Sequence, residues 1–234
     1  MIILPHPDYF GCDFLYTTVR PTYFGLVYYI VFGNILSYSI YFSKGNQSIT
    51  MKNEKIKILT ESAIMIALAT VLSLVKIITM PLGGAVTLLS MLPLCTLSIK
   101  HGIKVGFAAS FVYSILQLLL DLGAVMSWGL TPLVLIMCFL LDYILAFSSL
   151  GIAGIFRNKG RIGYCLGIAL AMFLRFLSHF ASGYFLFTTW ADGMSPFVYS
   201  IAYNGAYMAP ELLFTAAATL IISATPAFKK ILAK

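Results

Sequence analysis

At 234 residues, with 60% hydrophobic and only 10% charged side chains, the chain lies far from a soluble domain, in which about 25% of residues are charged. The length holds six or seven helices of roughly 20 residues each and leaves no room for a separate soluble domain. The formal net charge of +7 does not point to nucleic acid, because the basic residues stand singly between apolar runs, where they act as topology signals.

Residues 1–50 differ from the rest. Met1 to Pro21 carries three prolines and no usable period, and Thr22 to Phe42 is apolar, tyrosine-rich and long enough to cross a bilayer. The run Met51-Lys-Asn-Glu-Lys-Ile-Lys then reads like the start of a bacterial membrane protein. Two accounts stand: Thr22–Phe42 is an additional helix, or residues 1–50 are an upstream extension from a misassigned start. No function is assigned to this region.

From Ile58 onward six apolar spans follow: Ile58–Val75, Val86–Ile99, Val105–Leu120, Leu133–Ile155, Ile162–Phe187 and Phe197–Ala224. The second is short for a full crossing and calls for tilt or continuation by its flanks. Lys52, Lys55, Lys57, Lys100, Lys104, Arg157, Lys159, Arg161, Lys229, Lys230 and Lys234 all fall in alternate connections, against Lys76 alone in the others. The excess of lysine and arginine in inner loops therefore predicts an all-α six-helix bundle with both ends cytoplasmic. The outer connections hold Met80-Pro-Leu-Gly-Gly, Asp121 to Pro132 with Trp128, and Thr188 to Pro196 with Trp190 and Asp192. Each tryptophan alone reads as an interfacial anchor.

The fifth and sixth spans carry the chemistry. Arg175, His179 and Gly183 are four residues apart, as are Tyr199, Tyr203 and Tyr207, with Asn204 and Glu211 beside them. Residues at that spacing share one helix face. Ionisable groups inside membrane helices are costly and mark a substrate path or site, so these faces predict a pocket opening outward. Asp142 lies mid-span and requires a partner or a cation. Arg175 is its obvious protein partner, and a structural pair with Arg175 or His179 competes with a carboxylate facing an organic cation between aromatic walls.

Other chemistries find little support. His179 has no second histidine or cysteine in register, whereas zinc needs three or four convergent ligands. Cys12, Cys95, Cys138 and Cys165 show no CxxC or metal spacing and read as small core hydrophobes. No glycine-serine elbow, HExxH or phosphate-cradling loop is present. Ala63 and Ala67 form a small-xxx-small step that either faces lipid or lets another helix approach closely.

The runs Thr60-Glu-Ser-Ala-Ile-Met-Ile-Ala-Leu-Ala, Leu141-Asp-Tyr-Ile-Leu-Ala-Phe, Gly151-Ile-Ala-Gly, Arg175-Phe-Leu-Ser-His-Phe-Ala-Ser-Gly and Tyr199-Ser-Ile-Ala-Tyr-Asn together resemble the thiamine-specific S-components of energy-coupling factor transporters. The resemblance spans Met51 to Lys234 and leaves residues 1–50 outside it. It implies a multi-pass protein of a bacterial plasma membrane that captures thiamine from the outer side. It further implies no ATPase or cofactor of its own, and partnership with a transmembrane coupling subunit and two ATP-binding subunits. By the same resemblance Asp142 and Tyr143 contact the cationic ligand, and His179, Tyr199 and Asn204 supply polar contacts. Gly183 leaves the ligand room, and Arg175 falls where lysine or arginine occurs. Phe187 stands where some relatives carry a stacking tryptophan, and Gly83-Gly84 where some carry a tryptophan in the first outer loop. Ala63 and Ala67 match the surface by which such subunits dock on the coupling subunit. A stand-alone proton-coupled thiamine carrier and, more remotely, an intramembrane enzyme or assembly factor are the rival readings.

Overall fold

The first helix, α1 (Glu54–Leu74), buries only Glu61, Met65, Ala69 and Ser73, one residue per turn along a single stripe. The rest of its apolar surface is turned outward, with Leu59 70% exposed. Such a helix is stable where the surroundings are themselves apolar. The structure is a computed structural model that describes residues 54–80, 83–191, 193–226 and 228, all within one compact unit, Asn53–Lys234. The expectations for residues 1–50, including the helix at Thr22–Phe42, lie outside the described residues, as do Lys52, Asp192, Lys229, Lys230 and Lys234.

After α1 the chain makes an antiparallel hairpin of β1 (Lys76–Thr79) and β2 (Ala85–Thr87), pairing Lys76 with Thr87, Ile78 with Val86 and Thr79 with Ala85. Met80 N–H closes its turn by donating to the Gly84 carbonyl at 2.7 Å. β1 is exposed throughout, whereas Val86 and Thr87 of β2 are buried. The expected all-α fold is thus corrected by one short hairpin, placed where an outer loop was predicted. The second span is corrected too. Val86–Ile99 is not one helix but the end of β2, a turn, and α2 (Leu92–His101), a ten-residue helix in which Leu92 to Ile99 are all buried. A helix this short does not cross a bilayer by itself; β2, the turn and α2 together lead the chain back from the hairpin to Lys100 and His101, which bond Glu61 of α1.

α3 (Ile103–Ser127) is followed by a helical leg over residues 132–159 in four pieces. These are α4 (Pro132–Cys138), a π-helical stretch (Phe139–Leu145), α5 (Ala146–Ser148) and a 3-10 stretch (Ser149–Lys159). α6 (Gly160–Phe185), a 3-10 turn (Thr188–Trp190) and α7 (Pro196–Ser223) complete the described chain. Among the described residues four helical runs are long and apolar enough to cross a membrane, the longest being Pro132–Phe185.

That long run folds back on itself. Phe156 leaves the helical region at φ −104° and Gly160 takes φ 65°, a conformation that suits glycine. Beyond the reversal Gly163 packs on the Phe156 carbonyl and Gly167 on the Ala153 carbonyl, while Ser149 Oγ reaches the Ala171 carbonyl at 3.1 Å. The partners' numbers rise on one leg as they fall on the other, the signature of an antiparallel helical hairpin. The expected connection between the fourth and fifth spans, residues 156–161, is therefore present, with the reversal between Phe156 and Gly160.

α6 and α7 are apolar outside and polar inside. α7 buries Ser200, Asn204, Glu211, Thr215 and Thr219 and turns out Phe197, Ile201, Leu213 and Leu220. α6 buries Arg175, His179 and Ser182 and exposes Ile162, Leu166 and Phe173. A soluble protein has the opposite distribution, so the sidedness of α6 and α7 points to a bundle whose outer solvent is lipid and whose polar groups are gathered inside.

The basic turns converge. A Cβ on Gly102 would meet Arg157 Nη1 at 2.9 Å, and Lys100 and His101 both bond Glu61 of α1. The β hairpin, Trp128 and Phe187 instead meet around the cavity described next.

Candidate functional site

A cavity of about 190 Å³ opens among β1, β2, α3, the π-helical stretch, α6 and α7. The polar faces predicted on α6 and α7 do face each other across it. Asp142, Tyr143, Arg175, His179, Gly183, Phe187, Tyr199 and Asn204 all line it. The structure thus gathers at one place every residue expected at the site.

Asp142 sits in the π-helical stretch, whose wider turn coincides with bonds from α6. Ser178 Oγ donates to the Leu141 carbonyl at 2.6 Å, His179 Nδ1 lies 2.9 Å from Asp142 Oδ1, and Ser182 Oγ donates to Asp142 Oδ2. Cys138 Sγ, one turn earlier, donates to Oδ2 at 3.4 Å. With Nδ1–H given to Asp142, His179 presents Nε2 as the acceptor side of a neutral imidazole, and that buried atom has no partner among the described residues.

Arg175 does not pair with Asp142, contrary to the expectation from sequence. Its Nη1 lies 2.7 Å from Glu211 Oε2 on α7, and its guanidinium stacks 4.6 Å from the centre of the Phe147 ring, a favourable placement for a cation. Arg175 and Asp142 are both on the cavity wall, but each is held by a different carboxylate or imidazole. Glu211 is thus the carboxylate that neutralises Arg175.

The aromatic walls are more numerous than the sequence reading counted. Tyr199 and Tyr203 stack at 5.8 Å, and Tyr203 and Tyr207 meet edge-on at 6.1 Å. The tyrosine repeat thus forms a continuous ladder along α7. Tyr207 is fixed by its hydroxyl, which donates to Asn204 Oδ1 at 3.0 Å. Trp128, read from sequence as an interfacial anchor, lines the cavity, packs edge-on to Phe187 at 6.0 Å, and lies 3.4 Å from where a Cβ on Gly83 would be.

Gly183 lies where two helices meet. A Cβ there would stand 2.5 Å from Ser200 Oγ and 3.2 Å from Asn204 Nδ2, so glycine lets α6 and α7 approach. Tyr143 is buried, and its hydroxyl donates to Asp121 Oδ2 at 3.4 Å. Sequence reasoning missed Tyr113, Gln117 and Asp121 of α3 and Lys76 of β1, which also line the cavity. Four-residue spacing from Tyr113 through Gln117 to Asp121 was the available signal. Ala63 and Ala67 lie elsewhere, on the exposed side of α1.

A family model described as thiamine transporter protein matches residues 59–230. The chain is 30% identical over 173 residues to the thiamine transporter ThiT of Bacillus subtilis (strain 168), covering 68% of this chain and 85% of that protein. Its fold is similar to a solved structure of ThiT from Listeria monocytogenes, with a TM-score of 0.63 at 23% identity over 77% of this chain and 99% of that one. The extent of the family match, together with the relative from Bacillus, places the chain in a family defined by transport across membranes, in keeping with its lipid-facing helices: it belongs to the thiamine transporter protein family.

Proposed function

We propose that the chain is the thiamine-capturing membrane subunit of an energy-coupling factor transporter, taking thiamine from the outer side and delivering it through a separate ATP-driven module. One observation carries the ligand assignment: Asp142, held only by neutral donors, faces a cavity walled by aromatic rings. Thiamine has a fixed positive thiazolium, an aminopyrimidine and a hydroxyethyl arm. A carboxylate, π faces for the cation and a few neutral hydrogen-bonding groups suit such a ligand. Thiamine should bind the purified chain with one-to-one stoichiometry, and a pyrimidine-only analogue more weakly. Absence of thiamine binding would overturn the assignment.

In this reading both ends of a six-crossing bundle are cytoplasmic, and the basic turns at Lys100–Lys104 and Arg157–Arg161 face inward. Single cysteines at positions 123–131 and 188–195 should react with an impermeant reagent on intact cells, and cysteines at 157–161 should not. The reverse pattern would invert the map.

Ala63 and Ala67 are the proposed docking surface for the coupling subunit. Both are exposed on α1 and point away from the buried stripe, and small residues permit close helix approach. Ala67→Trp should abolish uptake while changing thiamine affinity less than about twofold, since its bulk stays outside the cavity. A second reading, a stand-alone proton-coupled carrier, draws on the Asp142–His179 pair. Uptake in cells lacking any ATP-binding partner would favour it.

A further inference from the structure

Glu211 is 3% exposed and is not part of the cavity wall, yet it accepts three hydrogen bonds beside it. Oε2 accepts from Arg175 Nη1 at 2.7 Å. Oε1 accepts from Thr87 N–H at 3.0 Å and from Thr87 Oγ1 at 2.6 Å. Ser90 Oγ lies 2.6 Å from Thr87 Oγ1, and with the threonine proton given to Glu211 the serine is the donor there. One carboxylate thus joins α6, α7 and β2.

The charges on the cavity wall give this arrangement a consequence. Among the described residues Lys76 and Arg175 are the cations there, and Asp121 and Asp142 the anions. With His179 neutral, these four cancel. Glu211, off the wall and 2.7 Å from Arg175 Nη1, tips the balance by one negative charge. Lys76 stands on the exposed strand β1, whereas Arg175 and Glu211 are both buried and therefore poorly screened, so this pair governs how the wall meets a ligand with a single fixed positive charge.

We propose that Glu211 is a specificity-determining positioning residue. By cancelling Arg175 from behind, it makes the cavity prefer a cationic ligand over an uncharged one of the same shape, and Thr87 holds it there. The inference rests on the reading of the cavity as a thiamine site. It differs from that reading in concerning a residue the ligand does not touch.

The experiment compares thiamine with an isostere whose thiazolium is replaced by an uncharged thiophene, titrated against the purified full chain. The quantity read is the ratio of the two affinities. Glu211→Gln should lower that ratio at least about tenfold, because Arg175 is left unopposed, while affinity for the uncharged isostere changes less than about threefold. Arg175→Gln should move the ratio in the opposite direction, because Glu211 is then left unopposed. Glu211→Asp, which keeps the charge, should restore the ratio toward the wild-type value. A purely structural role would weaken both ligands together and leave the ratio unmoved, and that result overturns the proposal. If Glu211→Gln fails to fold, Arg175→Gln decides alone: an unchanged or lowered ratio overturns the inference and a raised one supports it. Failure of the wild-type chain to bind thiamine would instead overturn the assignment of the ligand.

Discussion

The two polar clusters of this bundle handle buried charge in opposite ways. Near the basic turns, Glu61 of α1 receives Lys100 Nζ at 2.8 Å and His101 Nε2 at 2.6 Å, and close packing of backbone seals the region. Ser98 Oγ donates to the Gly151 carbonyl at 2.5 Å and accepts from Gly154 N–H at 2.9 Å. Around the cavity, by contrast, Arg175 Nε and His179 Nε2 are buried and lack partners among the described residues. Buried polar atoms are nearly always satisfied in native proteins, and exceptions call for a reason. The first cluster is complete within the chain, and its function is to hold helices together. The second is left short of partners on the cavity wall, where a ligand can supply them.

This contrast is broken most forcefully at Asp142. Asp142→Asn keeps the shape and removes the charge. Loss of one partner of a buried charge pair costs about 3–5 kcal/mol, or roughly two to four decades of affinity at about 1.4 kcal/mol per tenfold. Thiamine affinity should fall at least about a hundredfold by calorimetric titration, with the melting temperature little changed. Glu61→Gln should do the converse. Leaving Lys100 and His101 without their carboxylate should lower stability by about 3 kcal/mol, seen as a lower melting temperature, with thiamine affinity within about threefold of wild type.

A smaller effect is expected from Gly154→Ala, which drives a methyl group against the Ser98 carbonyl. Overpacking of this kind costs about 1–3 kcal/mol. It should appear in thermal stability and not in the ratio of ligand association to dissociation rates.

The sequence made part of this contrast legible. Four-residue spacing on α6 and α7 placed Arg175, His179 and the tyrosine ladder on facing surfaces, because helix periodicity is a local property that a chain displays directly. Asp142 stood out for the same reason, as a lone carboxylate within an apolar run. The partner of Arg175 did not. Glu211 is 36 positions away on another helix, and a pairing between long side chains depends on helix rotation and register, which no local pattern records. The hairpin was hidden because Lys76–Thr79 and Ala85–Thr87 are short and merge into neighbouring apolar runs. Periodicity cannot separate a short strand from a helix end. The division of the second span into β2, a turn and α2 was hidden because hydropathy alone does not distinguish burial in protein from burial in lipid. Trp128 lacked a signal of its own, since a tryptophan at a span end is equally suited to the interface.

The central claim is that Asp142 serves the ligand and does not serve merely to neutralise Arg175. Thiamine titration of Asp142→Asn combined with Arg175→Gln tests it most directly. The structure pairs Arg175 with Glu211, so deleting the arginine unmasks a charge behind the cavity wall but puts no carboxylate on the wall in place of Asp142. The account predicts a folded double variant whose thiamine affinity stays at least about a hundredfold below wild type. Recovery of wild-type affinity in that variant would contradict it.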